Sequence, residues 1–128
     1  MDTISLCMIV RDEEPVLIRC LESAAGLYDE LVIVDTGSAD RTREIARGYT
    51  DKVYDFPWVD DFSAARNFAF EQASMHYCMW LDADDVIPED QRDRFLSVKE
   101  NDLPAADVVM LPYHTAFDAA GRPTFTYY

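Results

Sequence analysis

The densest chemistry in this sequence lies in four consecutive residues, Asp82-Ala83-Asp84-Asp85. If the backbone stays extended there, Asp82 and Asp84 point the same way. Two close carboxylates repel each other, and one takes up a proton unless a cation intervenes. Their hard oxygens suit Mg²⁺, Mn²⁺ or Ca²⁺. Mg²⁺ is typically held by one or two carboxylates plus substrate phosphates, which leaves positions open for a diphosphate. The competing reading is a solvated turn, or a cap for a helix starting near Pro88. The apolar run at residues 77–81 immediately before the cluster favours the ligand reading, because it reads as a buried strand ending there.

Two other acidic motifs can be weighed. An EF-hand loop starting at Asp82 needs glycine at its sixth position and glutamate at its twelfth. The sequence has Ile87 and Asp93 there, and Val86 where a third acidic ligand belongs, so the motif is excluded. Dehalogenase-type phosphatases also carry Asp-x-Asp after a strand, with the first Asp as nucleophile. That motif belongs to a first strand, whereas Asp82 follows a fourth, so phosphotransfer through Asp82 is only an alternative.

Other candidate groups are scattered. Asp35 ends an apolar run and would accept hydrogen bonds from a ribose or base, or else cap the following turn. Arg66 would hold a phosphate by bidentate hydrogen bonds or pair with a surface acid. Arg11 is a further cation. His76 and His114 share no metal-ligand spacing with each other or with a cysteine. His76 reads as a turn residue, and His114 as following a strand. Trp58 and Trp80 read as core, although Trp58 sits beside Pro57. No P-loop, Gly-x-Ser-x-Gly or Gly-x-Gly-x-x-Gly is present.

The elements that must position these groups alternate in type. Residues 4–10 form a nearly continuous apolar run, as expected for a strand covered on both faces. Pro15 suits the first turn of a helix. Leu17, Cys20, Leu21 and Ala24 then make one apolar stripe, and Gly26 suits its end. Residues 31–34 read as a second strand. Ser38 or Asp40 would cap the next helix, whose inner face is Thr42, Ile45, Ala46 and Tyr49. Residues 52–56 read as a third strand. A helix over 60–74 follows, with Phe62, Ala65, Ala69 and Ala73 inward. Residues 77–81 are a fourth strand, 107–111 a fifth and 124–128 a sixth, with a turn at 121–123.

Such alternation predicts a single α/β domain over 1–128, with a mostly parallel sheet flanked by helices. In these sheets ligands bind beyond the carboxyl ends of the strands. Residues 11–14, Asp35 and the acidic cluster all follow strands. The chain stops inside a predicted strand, which reads as truncation on the C-terminal side.

The formal net charge is −14. That disfavours nucleic acid as a partner, since phosphate backbones call for Lys/Arg patches. An anionic ligand would need local positive charge from Arg66 and a metal. No apolar run approaches bilayer length, and no signal segment is visible at the start. The three cysteines Cys7, Cys20 and Cys78 sit among apolar residues. They are expected to be reduced, buried thiols in a cytoplasmic protein.

Four segments taken in order resemble family 2 glycosyltransferases. They are residues 7–14 (CMIVRDEE), 32–42 (VIVDTGSADRT), 62–67 (FSAARN) and 80–85 (WLDADD). More narrowly, they resemble the bacterial branch often joined to tetratricopeptide repeats. The resemblance covers the amino-terminal, donor-binding part of the family's domain. It implies a GT-A, Rossmann-like fold and an inverting transfer from a nucleoside-diphosphate sugar, a UDP-sugar first. Mg²⁺ or Mn²⁺ would be held by Asp84 with Asp82 assisting, offsetting charge on the departing diphosphate. Val10, Arg11 and Asp12 would wall the nucleotide pocket. Asp35 would face the base or ribose, Arg66 the diphosphate or base, and Asp82 and Ala83 the donor.

The sequence departs from the family pattern in two ways. Thr36 stands where many relatives have a second acid, and Val10 and Asp12 stand where many have a threonine and an aromatic residue. The general base is expected beyond Tyr128, in which case the fragment would hold a nucleotide without turnover. The acceptor is unassigned. Apolar surface near the fifth and sixth strands would favour self-association.

Overall fold

A computed structural model describes residues 2–103, 113–117, 119–120 and 123–127. Its elements are β1 (Ile4–Val10), α1 (Leu17–Ala24), β2 (Glu30–Asp35), α2 (Thr42–Arg47), β3 (Val53–Asp55), α3 (Phe62–Glu71) and β4 (Tyr77–Trp80). A 3₁₀ turn at Glu89–Gln91 leads into α4 (Arg92–Asn101), and β5 (Tyr113–Phe117) and β6 (Pro123–Tyr127) follow. The main sheet runs β3-β2-β1-β4 with every neighbour parallel. β5 and β6 form a separate antiparallel pair with irregular register.

The apolar runs of β1 and β2 are buried along nearly their whole length because helices cover both faces. Alternate side chains point to opposite faces of a strand, and the core divides accordingly. Leu6, Met8, Val10, Leu31 and Ile33 pack with Leu17, Cys20, Leu21 and Ala24 of α1 and Ala46 of α2. Cys7, Val32 and Val34 pack on the other face with Ala69 of α3, joined by Tyr54, Phe56 and Phe68. The predicted α1 stripe is thus wholly buried. The chain leaves α1 through Gly26 at φ +81°, the left-handed conformation glycine adopts without penalty.

At the edge of the sheet away from the strands' carboxyl ends, Glu30 is buried and acts as a clasp. Its carboxylate accepts from Ser5 Oγ at 2.6 Å and from Ser74 N and Oγ at 2.8 and 2.6 Å, and it pairs with Lys52. Burial alone would raise this carboxyl, but the Lys52, Ser5 and Ser74 contacts outweigh it and hold the pKa at about 2.

Several expectations need correction. β4, the outermost strand of the main sheet among the described residues, has side chains that alternate between half-buried and exposed. Cys78 is therefore exposed while Cys7 and Cys20 are buried. Trp80 is likewise exposed, not core. α3 is shorter than 60–74, and Phe62 at its first position faces outward. β3 spans only three residues. The predicted strand at 107–111 lies outside the described residues. Tyr113–Phe117, which holds His114, is a strand that pattern reading missed.

Candidate functional site

The carboxyl ends of β1, β2 and β4 carry the candidate residues, and the two central loops are stitched together. After β1, Asp12 sits in the left-handed region at φ 52°. Its backbone N–H donates to Ser38 Oγ at 2.9 Å, and its carboxylate accepts from Ala39 N at 2.7 Å. Glu13 N donates to Thr42 Oγ1, and Glu14 exchanges bonds with Asp40 and Arg41 N. Asp40, not Ser38, takes the Thr42 N–H at the start of α2. Arg11 is exposed on this rim, while Val10 is buried and its carbonyl accepts from Thr36 N at 3.1 Å.

Asp35 is turned inward. Its Oδ1 accepts from Gly37 N and Ser38 N at 2.9 and 2.8 Å, and its Oδ2 accepts from Ser38 Oγ at 2.5 Å. Arg43 Nε lies 3.3 Å from Asp35 and 2.9 Å from Asp55 without hydrogen-bond alignment, so it contributes charge alone. Burial opposes ionisation of Asp35, but the bonds from Ser38 and Gly37 prevail and lower its pKa. Of the two roles open to Asp35 from sequence, the turn occupies both oxygens.

The acidic cluster does not remain extended. Asp85 N donates to the Asp82 carbonyl at 2.9 Å, and Asp82 N donates to the Asp85 carboxylate at 2.9 Å. This turn draws carboxylate oxygens of Asp82, Asp84 and Asp85 within 4.8 Å of one another. Ala83 anchors the turn from below, buried in the core beside α1. Cys20 Sγ on α1 donates to the Asp82 carbonyl at 3.5 Å, and Arg19 reaches the Asp84 carbonyl at 3.3 Å. Burial and the neighbouring Asp85 raise the Asp82 carboxyl, with Arg66 opposing. Glu13 is raised too, by burial and then by Asp84. The two loops therefore share one negative field. An all-oxygen set of three close carboxylates fits a hard divalent cation.

Arg66 lies beside this field. Its guanidinium sits 4.9 Å from the ring centroids of both Phe62 and Trp80. Burial lowers its pKa while the Asp82 carboxylate supports its charge. A cleft of about 220 Å³ opens nearby, lined by Val10, Arg11, Glu13, Thr36, Trp58 and Phe62. Glu13, Trp58 and Phe62 were not assigned to the site from sequence. Glu13 left a signal by following the first strand, and Trp58 as an aromatic residue in a loop beside Pro57.

Comparison with known proteins identifies the frame. Residues 5–122 match the model of Glycosyl transferase family 2. A TPR repeat-containing protein of Synechococcus elongatus is 51% identical over 87 residues, covering 68% of this chain and 22% of that protein. The lipopolysaccharide core biosynthesis glycosyltransferase LpsC of Rhizobium meliloti is 33% identical, over 70% of this chain and 34% of its own. Among solved structures, residues 1–349 of S. aureus TarS superpose with a TM-score of 0.62 at 25% identity, over 77% of this chain and 32% of that one. M. tuberculosis glucosyl-3-phosphoglycerate synthase shares the fold at a TM-score of 0.61 and 23% identity, over 74% and 39%. The chain thus spans about a fifth to a third of the length of these curated relatives. Among the described residues, no helix is long and apolar enough to cross a membrane. A family match over most of the chain and a parallel sheet of the GT-A kind, carrying an acidic turn at its ligand edge, lead to one assignment: the chain belongs to glycosyl transferase family 2.

Proposed function

We propose that this chain is the donor-binding part of an inverting glycosyltransferase that uses a nucleoside-diphosphate sugar, a UDP-sugar first. The observation that carries the reading is the convergence of the Asp82, Asp84 and Asp85 carboxylates beyond β4. Asp84 and Asp82 would hold a Mg²⁺ or Mn²⁺ ion. Bound there, such an ion offsets negative charge on the departing diphosphate. Arg66, already desolvated between two rings, binds a diphosphate oxygen by charge-assisted hydrogen bonds. Arg11 and Val10 line the nucleotide cleft. Asp12 and Asp35 shape it through their loop contacts, and Ala83 supports the acidic turn. In the same fold, the M. tuberculosis synthase holds Mn²⁺ and UDP-glucose.

The acceptor hydroxyl would displace the diphosphate directly at the anomeric carbon, inverting it. Because the matched relatives are several times longer, a module that holds the nucleotide without turnover is the second reading. It predicts the same binding and differs only in a transfer assay. Calorimetry with UDP and GDP, in Mn²⁺ and in EDTA, tests the binding that both readings share. Wild type should bind one of them with Mn²⁺ only, and Asp84→Ala should lose most of that affinity. Equal binding in EDTA, or by Asp84→Ala, would sink the metal-assisted reading.

A further inference from the structure

The cleft beside the acidic turn holds aromatic surface with no assigned role. Phe62 is 51% exposed and Trp58 39% exposed, an unfavourable way to leave two large rings unless something covers them. The rings meet edge to face, 6.4 Å apart. The Trp58 indole N–H donates to the Asp60 carboxylate at 3.0 Å, which fixes the indole on its loop. From Phe62 the surface continues to Arg66, 4.9 Å from that ring, and Arg66 lies in the field of Asp82. Aromatic cleft, guanidinium and carboxylate turn therefore succeed one another. A nucleoside diphosphate presents a π-face, a ribose and a charged diphosphate in that same order. Two groups that could read the base by hydrogen bonding already hold bonds within the fold. Asp35 spends both oxygens on its own turn, and the Val10 carbonyl accepts from Thr36.

We infer that Trp58 forms the stacking platform for the base of the donor nucleotide, with Phe62 bracing it edge to face, so that ring contact, not the Asp35 carboxylate, holds the base. This rests on the donor-site reading above. Stacking on an aromatic side chain contributes about 1–3 kcal/mol per base, so its loss weakens binding by about 5- to 150-fold.

Calorimetry with Mn²⁺ present compares two probes, UDP and inorganic pyrophosphate, on wild type, Trp58→Ala and Trp58→Phe. Trp58→Ala should weaken UDP about fivefold or more, leave pyrophosphate unchanged, and be largely rescued in Trp58→Phe. Wild-type UDP affinity in Trp58→Ala overturns the inference, and so does parallel weakening of both probes, which would mark a structural role. If wild type binds neither probe, the donor-site reading itself has failed.

Discussion

At the scale of single residues, carboxylates divide into two groups with opposite consequences. Glu30 and Asp35 are buried and over-supplied with donors, so their pKa values are lowered. A lowered carboxyl stabilises the fold above its unfolded pKa, and that stability is lost as pH falls through the folded value. For Glu30 the window runs from its ordinary 4.5 down to about 2, and the shift corresponds to about 3 kcal/mol at neutral pH. Urea midpoints should be level above that window and fall within it, and Glu30→Gln should flatten the fall. Asp82 behaves in the opposite way. Its carboxyl is raised by burial and by Asp85, so ionisation at neutral pH opposes folding, and stability is regained as pH falls through the raised value. Asp82→Asn should therefore raise Tm, and only slightly, because solvent screens an exposed carboxylate. The same variant should lose the Tm gain that Mn²⁺ gives wild type. A drop in Tm for Asp82→Asn without metal would contradict the repulsion argument.

At the scale of elements, the stitched β1–α1 and β2–α2 loops form the floor of the site. Ser38 is the knot: its hydroxyl donates to Asp35 and accepts from Asp12 N. Ser38→Ala breaks both, so it should cost on the order of 1–3 kcal/mol in chemical denaturation and weaken UDP along with it. Asp61 caps α3 by accepting from Ser63 N and Ala64 N at 3.0 and 3.3 Å, and Asp61→Ala should cost about 1 kcal/mol. The alternation of half-buried and exposed side chains along β4 sets thiol reactivity. Cys78 should react quickly with a thiol reagent in the folded state. Cys7 and Cys20, buried and pushed up to about 12, should react only on unfolding. Reagent uptake followed by mass spectrometry distinguishes the three.

At the scale of the whole molecule, a net charge of −14 on 128 residues means that the folded chain repels itself. Raising NaCl from about 10 to about 150 mM shortens the screening length from about 30 to about 8 Å. Tm should therefore rise, and a divalent cation at the acidic turn should add to it at far lower concentration. Part of this whole was legible without coordinates. The α1 stripe of Leu17, Cys20, Leu21 and Ala24 and the buried runs of β1 and β2 follow from periodicity, because each pattern records which face meets the core. The acidic cluster was legible because it follows an apolar run.

Other features depended on contacts distant in sequence. Nothing local distinguishes a strand covered on both faces from one covered on a single face, so Cys78 and Trp80 were expected in the core. Phe62 fits an inward helical pattern, yet it heads α3 where the cleft opens. Asp82 and Asp84 were placed together by assuming an extended strand, whereas a turn pinned to α1 by Cys20 and Arg19 gathers three carboxylates. Asp35 was open to two roles, and the turn role is visible only in the folded chain, where Gly37 and Ser38 donate to its oxygens. The sequence by itself determined the alternation of elements, their buried faces and which acids follow strands, because these are properties of neighbouring residues. Tertiary structure alone decided which side chains share a cleft and which donors each carboxylate keeps, because those depend on strand order and loop pairing across the chain.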